Sequence, residues 1–94
     1  MSLEELLDKL KIAERPERSE DGSYVMDLNS SDELARYSSK MDRLADIGEF
    51  EELDNPSITD ELIRVEYMSY DKKLLVTLVG YYDTEEYSLI IREL

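Results

Sequence analysis

The sequence predicts a two-layer α+β domain in the order α-β-α-β-β-β, and three observations carry that prediction. The last third, Leu62 to Leu94, holds three runs of strand length rich in β-branched and aromatic residues, broken at Asp71-Lys72-Lys73 and Asp83-Thr84-Glu85-Glu86. Two Ser-x-x-Glu signatures, Ser2 with Glu5 and Ser30 with Glu33, each precede leucines at helical spacing. A chain of 94 residues can build one two-layer core and not two, so residues 1–94 read as a single acidic domain.

The first element is a helix from about Leu3 to Lys11. Its stripe of Leu3, Leu6, Leu7, Leu10 and Ile12 is narrow, so it needs a surface to dock on. Arg15-Pro16 ends it, and Ala13 to Ser23 reads as a loop closing in an Asp21-Gly22 turn. A short strand follows at Tyr24 to Leu28, with Tyr24, Met26 and Leu28 on one side.

The second helix starts where Ser30 can accept from the Glu33 backbone N–H while the Glu33 carboxylate reaches back to Ser30. Leu34, Tyr37, Met41, Leu44 and Ala45 form its apolar face, and Gly48 is the natural stop. Phe50 and Leu53, three residues apart, suggest one more helical turn before Asn55-Pro56 breaks the chain.

In the C-terminal meander, a two-residue Asp71-Lys72 turn sets Tyr67 opposite Val76 and Val65 opposite Leu78. A Thr84-Glu85 turn sets Leu78 opposite Ile91 and Gly80 opposite Leu89, which collects Ile63, Val65, Tyr67, Leu74, Val76, Leu78, Tyr87, Leu89 and Ile91 on one face. The opposite face mixes Arg64, Glu66 and Arg92 with Met68, Leu75, Val79, Tyr81, Ile90 and Leu94. Either the N-terminal helix covers part of it, or Met68, Leu75, Val79, Tyr81 and Ile90 form a contact face for a partner or for a homodimer, and in the latter case the protein reads as a structural or assembly subunit that self-associates through this face. Tyr24, Tyr37, Tyr67 and Tyr87 fall on core-facing positions, while Tyr70, Tyr81 and Tyr82 flank the turns.

Function is bounded first by what is missing. Without histidine or cysteine the chain can build no serine triad, Cys-His pair, imidazole-ligated metal or disulfide. Gly22, Gly48 and Gly80 are too scattered for a phosphate loop. Paired carboxylates abound, but acid-base work needs a cleft that so short a chain hardly encloses, so no enzyme activity and no cofactor are expected. Neither Glu20-Asp21-Gly22-Ser23 nor Glu49 to Asp54 has the spacing of a calcium loop, so no metal is expected either. The N-terminus lacks a signal-peptide pattern and no apolar run nears about 20 residues, which predicts a cytoplasmic protein without membrane contact.

The formal charge of -13, from 24 acidic and 11 basic residues, opposes direct nucleic-acid binding. The short ladder Arg36, Lys40 and Arg43 is surrounded by Asp32, Glu33, Asp42 and Asp46. The strongest functional candidate is the acid run Asp46, Glu49, Glu51, Glu52, Asp54, Asp60 and Glu61, which contains no Lys or Arg and is joined by Asp42 on the helix before it. It reads either as a surface for a basic protein partner, in the extreme a mimic of a phosphate backbone, or as a solvated run that serves solubility. The order helix, strand, acidic helix, antiparallel meander resembles that of small acidic phage-type inhibitors such as the uracil-DNA glycosylase inhibitors. The likeness is one of coarse architecture with no shared motif, and it implies an inhibitor that binds protein.

Overall fold

The computed structural model describes residues 1–53 and 56–94. Helix α1 (Leu3–Lys9) and the short strand β1 (Glu17–Arg18) precede strand β2 (Tyr24–Leu28) and helix α2 (Ser31–Asp46). Strands β3 (Phe50–Glu52), β4 (Ser57–Ile58), β5 (Leu62–Ser69), β6 (Leu74–Tyr81) and β7 (Glu86–Glu93) follow. All pair antiparallel in one sheet of order β1-β2-β7-β6-β5-β3, with β4 sharing the β5 edge beside β3. This is the predicted α+β class with its C-terminal meander.

Both helices begin as the sequence suggests. Ser2 Oγ accepts from Glu5 N–H at 3.2 Å and donates to the Glu5 carboxylate at 3.2 Å. Ser30 Oγ accepts from Glu33 N–H at 3.2 Å, but the Glu33 carboxylate takes the N–H of Asn29 rather than that of Ser30. Helix α1 stops two residues before the expected end, because Lys11 turns left-handed at φ 58°. Seven residues are too few for a stable isolated helix. Burial of Leu6 and Leu10, both at 0% exposure, holds it in place, each contributing about 1.5–3 kcal/mol.

The first hairpin has the expected register, with Val65 opposite Leu78 and Tyr67 opposite Val76. In the second, Leu78 pairs with Leu89 and Gly80 with Tyr87, two residues away from expectation. The cause is a four-residue loop, Tyr82 to Glu85, with Glu85 at φ 54°, where a two-residue turn was expected. A slip of two preserves side-chain facing, so the core face survives. Val65, Tyr67, Leu74, Val76, Leu78, Tyr87, Leu89 and Ile91 are all buried on it together with Leu34, Tyr37, Met41 and Leu44 of α2.

Three further expectations are corrected. Phe50 and Leu53 do not extend a helix: Gly48 at φ 81° turns the chain, and β3 pairs Phe50 with Ser69 and Glu52 with Tyr67. The Ala13–Ser23 loop contains β1, tied to β2 through Glu17 opposite Val25 and Arg18 opposite Tyr24. Finally, α1 does not cover the outer sheet face. Its Leu3, Leu6, Leu7 and Leu10 join the same core as α2, and Lys40 Nζ donates to the Leu10 carbonyl at 3.0 Å, so both helices share one side of the sheet.

Candidate functional site: an apolar groove beside an acidic end

Helix α2 carries its large apolar side chains on one side only. Leu34, Tyr37, Met41 and Leu44 fill the core, while Ser31, Ala35, Ser38 and Ser39 face the β5 edge with small side chains. The sheet is therefore not met there, and a groove of about 300 Å³ opens between helix and strands. Ile63, Val65 and Leu78 form its floor and Tyr82, 40% exposed, stands at its mouth. The lining is mostly apolar. Its volume has room for one or two large apolar side chains.

The groove opens toward one end of the sheet, where β2 passes into α2, β4 turns into β5 and β6 turns into β7. These three junctions carry Asp27, Asp32, Glu33, Asp60, Glu61, Asp83, Glu85 and Glu86, and no Lys or Arg. All but Glu33 are exposed. Among the described residues none of the eight enters a salt bridge. The Tyr82 N–H donates to the Glu61 carbonyl at 3.0 Å, which locks two of the junctions together. Glu61, Asp83 and Glu86 line one shallow pocket there, and Asp27, Glu85 and Glu86 line the next.

The acidic residues singled out in the sequence divide between two ends of the molecule. Asp60 and Glu61 belong to this end. Asp42 lies further along α2, where its carboxylate accepts from the Tyr67 hydroxyl at 2.7 Å, and burial followed by this bond raises the phenol's pKa above its usual value. Glu49 sits near the opposite end and pairs with Lys9 at 3.1 Å, so it is committed to holding α1. Asp46 is exposed on the last turn of α2, and Glu51 and Glu52 are exposed on edge strand β3, alternating between the two sheet faces. Asp54 lies outside the described residues. The fold thus brings Asp60 and Glu61 together with Asp27, Asp32, Asp83, Glu85 and Glu86, which no contiguous run in the sequence unites.

Of the possible self-association residues, Met68, Leu75, Val79 and Ile90 are half-buried on the outer sheet face and Tyr81 is 49% exposed. The serine hydroxyls along the groove have no imidazole or thiol to work with, because the chain contains neither. No group of three or more carboxylates among the described residues is arranged to hold a metal ion. No helix among them is long and apolar enough to cross a membrane.

No family model, curated protein or solved structure matches this chain.

Proposed function

We propose that this protein is a non-catalytic binding module for a basic surface of another protein. In this reading a large apolar side chain of the partner enters the α2–β5 groove while Lys and Arg around it meet the acidic end. The juxtaposition of an open apolar groove with eight carboxylates and no cation is the observation that carries the reading. Apolar insertion supplies short-range affinity, and the one-signed rim steers encounter and selects against acidic partners. An inhibitor, an immunity-type protein or a regulatory factor would work in this way, including one that occupies a nucleic-acid-binding groove in place of the phosphates.

Capture from host lysate at about 50 mM and about 500 mM salt tests this, because screening at the higher salt shortens the reach of surface charges to a few Å. A specific protein should be retained at low salt by the wild-type chain. Ala35→Arg, which fills the groove from an exposed helix position, and Asp60→Lys/Glu61→Lys should each release it. Retention of the same partner by both variants contradicts the proposal.

A further inference from the structure

With both helices on one side, no described helix covers the other side of the sheet, and register places Val25, Met68, Leu75 and Ile90 in one strip across it. Met68 pairs with Leu75, Thr77 with Ile90 and Ile90 with Val25, so four adjacent strands contribute to it. Leu75 and Ile90 are diagonal neighbours, close enough for their side chains to be covered by one ligand. Val25, Met68, Leu75 and Ile90 are half-buried and lie outside the core that the helices share with the sheet, and among the described residues no helix covers them.

Charge at the strip's ends identifies what would cover it. Glu51 pairs with Met68 on β3, and Glu17 pairs with Val25 on β1, so each end finishes in an exposed carboxylate. Neither enters a salt bridge among the described residues. The two arginines on this face are tied sideways, Arg64 to Glu66 at 3.6 Å and Arg92 to Asp21 at 3.5 Å. From Glu51 to Glu17 the sheet crosses five inter-strand gaps, about 24 Å at about 4.8 Å each, which equals about 16 residues of helix.

We infer that the outer sheet face is a second docking surface, and that its occupant is an amphipathic helix with an apolar stripe and Lys or Arg near both ends. A second copy of this chain is the poorer occupant: it would add another charge of -13 and bring further carboxylates to the same rim. The inference does not depend on the groove, because the two surfaces lie on opposite sides of the sheet.

The test uses a fluorescent Leu/Lys amphipathic helix of about 16 residues and a scrambled peptide of identical composition, which carries the same charge without the stripe. The amphipathic peptide should bind about tenfold more tightly than the scrambled one. Ile90→Lys should remove that preference and Ala35→Arg should retain it. Should Ile90→Lys lower the urea midpoint, Glu17→Lys/Glu51→Lys serves as the second variant and should narrow the gap between the peptides. Equal binding of both peptides overturns the inference, as does a preference that survives Ile90→Lys or one that Glu17→Lys/Glu51→Lys leaves undiminished. A preference lost in Ala35→Arg alone assigns the peptide to the groove, which overturns this inference and leaves the proposed function standing. Sedimentation showing a dimer that Ile90→Lys dissociates gives the face to a second copy and overturns it equally.

Discussion

Replacing Gly80 with alanine probes how closely α2 is pressed onto the sheet beside the groove. Gly80 sits in β6 opposite Tyr87, and a Cβ added there would meet Tyr87 Cδ1 at 2.7 Å, Leu34 Cδ2 at 3.0 Å and Tyr87 Cε1 at 3.1 Å. Carbon atoms in ordinary contact stand about 3.5–4.0 Å apart, so the Tyr87 ring must retreat by about 1 Å and Leu34 by somewhat less. Both side chains are buried, at 7% and 5% exposure, and have little room to move. Such overpacking costs about 1–3 kcal/mol, offset by about 0.4–1 kcal/mol from the reduced freedom of the unfolded chain. A net loss of about 1–2 kcal/mol should lower the urea midpoint by about 1–2 M at an m-value near 1 kcal/mol/M. Leu34 also lines the groove, so amide shifts around Ser31 and Ala35 should accompany the loss. An unchanged or raised midpoint would refute the claim that Tyr87 and Leu34 close over a glycine-sized space.

Two further outcomes follow from individual contacts. Tyr67→Phe removes the hydroxyl that donates to Asp42 at 2.7 Å and should cost about 0.5–1.5 kcal/mol in urea unfolding, while Tyr67→Phe in an Asp42→Ala background should cost less, a coupling that a double-mutant cycle reads. Asp21 concerns pH: side-chain hydrogen bonds from Ser19 and Ser23, the Ser23 backbone N–H and the charge of Arg92 hold its carboxyl well below the usual carboxylate range. A pKa depressed by folding contributes stability above the unfolded value of about 3.9 and loses it as pH falls through the folded value. The stability difference between wild type and Asp21→Asn should therefore be constant from about pH 5 to 7 and close below about pH 4; a gap that persists at low pH would show that Asp21 acts without its charge.

The elements carried by strong side-chain alternation were legible in the sequence. Val65 and Tyr67 against Leu78 and Val76 admit one pairing that buries them all, whereas the second hairpin slipped by two because Tyr82 and Glu85 could be read as strand ends or as loop. Strands β1 and β4, two residues each and wholly exposed, have no apolar period to detect and exist only through their neighbours' hydrogen bonds. Phe50 and Leu53 mislead because a spacing of three fits a helix until β5 offers an edge to pair with.

The candidate site was less visible for two physical reasons. The groove is made by small side chains, Ser31, Ala35, Ser38 and Ser39, and missing bulk leaves no apolar signature. The acidic end is assembled by topology from three chain junctions, so the contiguous run from Asp46 to Glu61 pointed to Asp60 and Glu61 but not to Asp27, Asp83, Glu85 or Glu86. Glu49 within that run holds α1 through Lys9, a role only the fold discloses.

The central claim, that an acidic end steers a basic partner onto an apolar groove, is tested most directly by the association rate constant of the captured partner measured against ionic strength. It should fall steeply from about 50 to about 500 mM salt for the wild type, and Asp60→Lys/Glu61→Lys should both slow it and flatten the slope. Ala35→Arg should instead act mainly on the dissociation rate, since it blocks the groove and leaves the rim carboxylates in place. An association rate indifferent to salt, or one that the charge reversal leaves unchanged, would contradict the account.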